Sequence, residues 1–239
     1  MAVYSKEIID EAAGILNDVA FSYWTSGYHL DSLNSGQLQI ALLKPDASTT
    51  AKAYQLAAGV RQGLPDGSAS YQDPAAATLP AGLKLVRLVM NMGTTGLVPG
   101  RAISIIDMDM LSSIRPTWPA DSASAVVKHF MYDEKDPKSF WVSPPQPASS
   151  QGYVLALYNA VPADVASYAS NAAISLADEF RPALLNWILF KAYARDTDEA
   201  HSNRALQYYD AFLQVLNLSS AIERAEDPNY KDKATSASY

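Results

Sequence analysis

The sequence predicts an α+β fold in which terminal α-helices form one bundle with a central β-rich insertion. Three observations predict it. Apolar residues recur at helical spacing through 1–48 and again through 165–218. Between them, over 49–164, the helical period gives way to short β-leaning runs divided by Gly and Pro. No repeat at a solenoid period competes with this helix–strand–helix order. The expected organisation is a helical bundle from 1–48 and 165–218, a β-rich insertion over 49–164, and an extended C-terminal tail over 219–239.

The first helix is predicted from Ser5, a plausible N-cap, with Glu7 in the first turn where a negative charge suits the helix dipole. Ile8, Ala12, Ile15 or Leu16, and Val19 then share one face. Ser22 to Gly27 breaks the pattern, with Phe21, Tyr23 and Trp24 near the corner. In the second helix Leu30, Leu33, Gln37, Ile40 and Ala41 lie along one face, and Lys44-Pro45 ends it, because a residue before proline is pushed out of the helical region. The two form an αα-hairpin.

In the insertion, Tyr54-Gln55-Leu56 and Val60-Arg61-Gln62 flank Ala57 to Gly59, and Leu64-Pro65-Asp66-Gly67 is a turn. Leu83 to Met90 reads as an alternating strand with both faces partly covered, and Ala102 to Met108 as another. Val126 to Tyr132 and Ser139 to Val142 make a hairpin across Asp133–Pro137, stopped by Pro144 and Pro145. Tyr153 to Tyr158 is the last strand. Asp178 to Arg195 is then a helix with Pro182 in its first turn, where a missing N–H is tolerated. It is apolar on most sides and so central. His201 to Leu218 follows with Ala205, Tyr208, Tyr209, Phe212 and Leu216 on one face. Leu16, Leu33, Ile40, Trp187, Ile188 and Phe212 are the expected bundle core.

Composition narrows the function. The absence of cysteine removes disulfides and thiolate metal sites. A net charge of -7 argues against a nucleic-acid binder, which needs a dense basic patch, and against an anionic membrane surface. The most apolar run, Ala183 to Phe190, falls far short of the ~20 residues a spanning helix needs. The N-terminus carries acidic residues where a signal peptide would be apolar. A soluble, acidic, globular chain is expected.

Catalytic constellations are not legible. His29, His129 and His201 have no second histidine at metal spacing. Asp107 and Asp109 alternate on one face of an expected strand end with no third ligand. Asp133, Glu134 and Asp136 lack the calcium-loop glycine and terminal glutamate and read as a turn. Gly93 to Gly100 has no phosphate-loop lysine and reads as a flexible loop. No enzyme, cofactor or metal is therefore expected. The 14 tyrosines and 4 tryptophans, among them Tyr4, Tyr28, Tyr54, Tyr71, Tyr132, Tyr153 and Tyr168 in expected loops or strand edges, are compatible with extensive protein–protein contact.

Seven segments carry a family resemblance: IIDEAAGILND with Tyr23-Trp24; HLDSLNSGQLQIALLKPDAS; AAGVRQGLP; Asn91 to Gly93; the tryptophan of RPTWP; YDEKDPKSFWVSPP; and LLNWILFKAYARDTDEAHSNRALQYYDAFLQVL. In this order, from Ile8 to Leu218, they resemble a family of phage particle proteins. The architecture resembles podovirus head-to-tail adaptors of the tail tubular protein A kind. The resemblance implies a structural virion protein of the phage neck or tail, assembled in the host cytoplasm. It implies a homo-oligomeric ring of twelve copies that meets a portal protein on one side and tail nozzle or tail-fibre proteins on the other. DNA would pass through the channel without specific binding, and no membrane is involved. The tail, with Asp227, Pro228, Asn229, Tyr230 and Tyr239, is the expected portal contact. Another tail or head-completion component, or a carbohydrate- or receptor-binding tail module, is the alternative.

Overall fold

A computed structural model describes residues 3–75, 77–133, 135–195 and 199–226. The described residues are mixed α and β, with helices at both ends and two sheets between them. The chain divides into two compact units, Met1–Lys44 with Ala163–Tyr239, and Pro45–Pro162.

The helical unit contains α1 (Ser5–Ile15), α2 (Ser26–Leu43), α4 (Arg181–Ala194) and α5 (Glu199–Glu226), while the intervening α3 (Met108–Ile114) belongs to the other unit. The terminal helices pack on one another, α4 against α1, α2 and α5. Leu33, Ile40, Ile188 and Phe212 are fully buried, and Trp187 is 9% exposed. The Trp187 ring meets Phe190, Tyr209 and Phe212 at centroid distances of 5.4, 6.5 and 5.1 Å, and its indole N–H donates to Ser35 Oγ at 3.0 Å. Gly36 permits that approach, because a Cβ there would stand 2.7 Å from Trp187 Cδ1.

Leu16 departs from the expected core. Helix α1 ends at Ile15, Leu16 is its C-cap and only half-buried, and Asn17 turns the chain with φ 56°. Residues beyond it leave the α1 face, so Val19 is 72% exposed. At the other end, α5 runs to Glu226, eight residues into the stretch expected to be extended. Asp227, Pro228, Asn229, Tyr230 and Tyr239 lie outside the described residues.

The β unit contains β1 (Thr49–Gln55), β2 (Gly59–Gly63), β3 (Gly82–Asn91), β4 (Ser104–Ile105), β5 (His129–Tyr132), β6 (Ser139–Gln146) and β7 (Tyr153–Ala160). One sheet has the order β1-β7-β3 and the other β2-β6-β5-β4. Both contribute to one core, with Tyr54, Leu85, Leu88, Val154 and Tyr158 from the first and Phe130, Phe140 and Val142 from the second. The pairs are antiparallel except β4 with β5.

Strand β3 does not alternate as expected. Gly82, Leu85, Leu88 and Asn91 face inward, a spacing of three. Register shifts at Gly82/Lys84, Leu85/Arg87 and Leu88/Met90 explain it, since each extra residue delays the next inward position by one. β3 lies at a sheet edge, where bulges are tolerated. Strand β6 also runs further than expected, through Pro144 and Pro145 to Gln146. Its pairing with β5 ends at Ser143 and its pairing with β2 is irregular between Gly59 and Arg61, so the missing N–H groups interrupt little of the ladder. The expected strand Ala102–Met108 shrinks to Ser104–Ile105, and its end begins α3.

Candidate functional site

The β unit carries a cleft of about 490 Å³ lined by Asp107, Met108, Asp109, Tyr132, Asp133, Lys135 and Trp141. It brings together two features that are separate in sequence, the Asp107–Asp109 pair and the turn after β5. Asp107 is not on a strand. It is the N-cap of α3, and its Oδ1 accepts the Met110 N–H at 2.9 Å. Asp109 sits in the first turn of that helix, where a carboxylate suits the dipole. Asp133 Oδ1 accepts the Lys135 N–H at 2.9 Å, the Asx-turn arrangement expected of this segment. Asp136 points elsewhere, pairing with Arg61 at 3.3 Å. Among the described residues no group of three or more His, Asp or Glu is placed to hold a metal ion. The cleft offers two aromatic side chains, Trp141 and Tyr132, beside the Asp107 and Asp133 carboxylates, which serve backbone turns, and Asp109.

The helical unit has a shallower groove of about 330 Å³ lined by Asn186, Tyr193, Arg204, Gln207, Tyr208 and Ala211. Tyr193 and Tyr208 stack at 5.6 Å and an interplanar angle of 3°, and the Arg204 guanidinium lies 5.9 Å from the Tyr193 ring. These contacts tie α4 to α5.

The histidines do different things. His129 pairs across β5 and β6 with Ser143. His201 sits 5.7 Å from the Tyr193 ring. His29 is buried and its ring carries no hydrogen bond. It is 0% exposed and neither ring nitrogen has a partner. Burial pushes its pKa below the ordinary histidine value, and the Asp18 carboxylate opposes the shift.

Tyr28, Tyr54 and Tyr168, expected at edges and loops, and Tyr158, expected in the last strand, are tied down by their hydroxyls. Tyr54 is buried and its hydroxyl donates to Gly63 O at 3.3 Å; burial pushes its phenol well up. Tyr158 donates to Pro80 O at 3.2 Å, with its pKa raised by burial to about 12. Tyr28 donates to Lys191 O at 2.6 Å. Tyr168 donates to Asp10 Oδ1 at 2.5 Å, and that bond raises it to about 12. Tyr23, at 64% exposure, stays on the surface, as does Tyr4.

Apart from Gln37, already on the apolar face of the second helix, the side-chain amides that hold the loops were not legible in the sequence. Asn91 donates to Val127 O and Arg101 O and accepts the Val127 N–H, all within 2.9 Å. Gln146 spans Ser124 O and the Gly152 N–H. Gln62 closes on Ala57 and Gly59. In the helical unit Asn34 makes both bonds to Val165, and Gln37 accepts the Ser175 N–H. Each side-chain amide takes the place of a peptide group where a loop meets an element. Only an amide type within an otherwise apolar period could have signalled them, as Gln37 does between Leu33 and Ile40.

No described helix is long and apolar enough to cross a membrane. No curated protein matches the chain. The family model for SU10 adaptor protein matches residues 5–233, nearly the whole chain and all seven resembling segments. On that match, this mixed α and β chain belongs to the SU10 adaptor protein family and is a structural component of a bacteriophage virion.

Proposed function

We propose that the chain is a head-to-tail adaptor that closes into a ring, of twelve copies, between the portal protein and the tail, and that it acts without catalysis or a cofactor. The observation that carries this reading is the family match over 5–233. The helical unit supplies the rigid body of the subunit, and the β unit faces the tail nozzle or fibres. The segment with Asp227, Pro228, Asn229, Tyr230 and Tyr239 reaches the portal. Ring contacts of this kind need more than ~1,000 Å² of buried surface. Exposed Val19, Tyr23, Leu38 and Leu42 in the helical unit, and Leu97, Val98 and Ile105 in the β unit, are apolar surface available for it.

Charge supports the channel. Of the 25 acidic residues, 16 fall in the helical unit against 9 basic ones, whereas the β unit has 9 of each. A lumen lined by the acidic unit would let DNA pass without binding phosphate. A lumen lined mainly by Lys and Arg in an assembled ring would count against it.

Purified protein mixed with its portal should give rings in negative-stain micrographs. Deleting Asp227–Tyr239 should leave the fold intact and weaken portal binding. A failure to form rings or bind portal would overturn the reading. The cleft with Trp141 and Tyr132 favours one rival, a sugar-binding tail module, and specific binding on a glycan array would support that instead.

A further inference from the structure

The corner between α1 and α2, residues 17–24, is held by two devices that share a boundary. Asp18 is the first. Its carboxylate accepts three consecutive backbone N–H groups, from Ser22 at 2.8 Å, Tyr23 at 2.9 Å and Trp24 at 2.8 Å. Phe21 is the second. Its backbone is left-handed, with φ 54°, a conformation that a bulky side chain adopts at some cost. The Phe21 N–H donates to Asp18 O, and its ring meets His29 edge-on at 6.0 Å and Tyr168 at 5.3 Å. The buried His29 ring, with no hydrogen bond of its own, is therefore part of the seat that keeps a strained Phe21 in place.

A neutral imidazole can sit unpartnered among aromatic rings at modest cost. An imidazolium cannot, since a buried charge needs a counter-ion or water. Tyr28, beside His29 on α2, gives its hydroxyl hydrogen to Lys191 O and has the Arg195 guanidinium 5.0 Å from its ring. Behind Phe21, Tyr168 is bonded to Asp10, with the Lys6 ammonium 5.3 Å from its ring. The carboxylate that acts on His29 is Asp18, and it is already committed to the corner's amides.

We propose that His29 and Asp18 form an acid-operated latch on this corner. Neutral His29 seats Phe21 and leaves the Asp18 carboxylate to Ser22, Tyr23 and Trp24. Protonated His29 takes that carboxylate as its counter-ion, so the three amides lose their acceptor and Phe21 leaves its left-handed conformation. The corner also carries exposed Val19 and Tyr23, so its release changes the apolar surface that the helical unit presents. The latch is independent of whether the chain forms rings.

The sign follows from burial. The folded ring has a lower pKa than the unfolded one, so the unfolded chain binds the proton first as pH falls. The closed corner is fully stable above about pH 6.5 and weakens as pH falls from there toward the folded ring's own pKa. Asp18 is held below the ordinary carboxylate value by the Trp24 N–H first, so its own protonation does not enter this window.

Amide hydrogen exchange on the full chain tests the latch. Between about pH 7.5 and about pH 5.5, protection at Ser22, Tyr23 and Trp24, corrected for intrinsic rate, should fall about tenfold or more while Ile8 and Leu33 keep theirs. His29→Phe should abolish that pH dependence, and His29→Leu serves if the phenylalanine variant does not fold. In the wild type the His29 Cε1 proton should titrate below the ordinary histidine value, which needs no variant. The proposal fails if His29 titrates at or above that value. It also fails if protection drops equally at all amides, or if the histidine-free variants keep the wild-type pH dependence.

Discussion

The helical and β units both fix long connections to a core, but with different materials. The helical unit relies on a large apolar contact, Trp187 among Phe190, Tyr209 and Phe212, over a glycine that lets α2 come close. Its sequence holds all of the chain's surplus negative charge. The β unit is electrically balanced and has bulged strands, and its connections are clamped by buried amides at Asn91, Gln146 and Gln62. The contrast is one of degree: an apolar period assembles the helices, with Asn34 and Gln37 clamping only the connection that precedes α4, whereas irregular strands need specific polar groups wherever the ladder breaks. Loss of an apolar group should therefore hurt most in the first unit, and loss of an amide in the second.

Trp187→Ala should have the largest effect, about 3–5 kcal/mol, from lost burial and a cavity at the α2–α4–α5 contact. It also removes the donor to Ser35 Oγ. Urea denaturation measures it, and exchange at Leu33 and Ile40 locates it. A loss under about 1 kcal/mol would show that the indole is not the packing centre. Asn91→Ala should come next, at about 2–3 kcal/mol. It strands the Val127 N–H and C=O, each costing about 1 kcal/mol or more when left unpaired, while the Arg101 C=O keeps the Asn91 backbone N–H. Protection should be lost at Val127 and Ile103. If Asn91→Ala is neutral, water replaces the amide and the proposed contrast between the units weakens.

The same contrast explains what the sequence could show. Helices α1, α2, α4 and α5 were legible because burial at Ile8 and Ala12, Leu33 and Ile40, Leu184 and Ile188 follows one period. β7 was legible for the same reason, with Val154, Ala156 and Tyr158 alternating inward. β3 was not, because bulges turn its period from two to three, and no residue in Leu83–Met90 marks where an extra residue enters. α3 hid in an apparent strand, although Asp107 before Met108, with Asp109 in the first turn, is a helix-start signal. The order β1-β7-β3 joins residues a hundred positions apart, which local pattern cannot encode. Of the candidate site, the turn at Asp133 was legible, but its meeting with Asp107, Asp109 and Trp141 depends on β4 pairing with β5 and β5 with β6 in the other sheet. The burial of His29 was not legible, because a polar residue next to Leu30 at a helix start gives no hint that the Phe21 and Tyr28 rings will lie against it.

Two phenols sharpen the comparison at alkaline pH. Tyr158 in the β unit and Tyr168 in the helical unit are each raised to about 12, the first by burial and the second by its bond to Asp10. A raised pKa gives stability that is complete below the unfolded value, about 10, and is lost as pH climbs toward the folded value. Asp10→Asn should return Tyr168 toward its ordinary value and leave Tyr158 unchanged, as read by phenolate absorbance. Tyr158→Phe should flatten the pH dependence of β-unit stability above about pH 10. Movement of both phenols on Asp10→Asn would show that one cause governs the two.

The smallest effects should come from exposed ion pairs, and here charge rather than packing separates the units. Arg181 pairs with Glu11 at 2.8 Å in the acidic helical unit, and Arg61 with Asp136 at 3.3 Å in the balanced β unit. Both pairs are well exposed, so each is worth less than about 1 kcal/mol. Arg181→Gln also adds to a net negative surplus, which raises self-repulsion at low salt. Its cost should therefore shrink as salt rises to about 1 M, where the Debye length falls to about 3 Å, whereas the cost of Arg61→Gln should stay near zero throughout. Paired urea melts at low and high salt measure this. Equal salt dependence for the two variants would mean that the acidic surplus is not felt as a unit-wide field, and that each carboxylate of the helical unit is answered locally, as Glu11 is by Arg181.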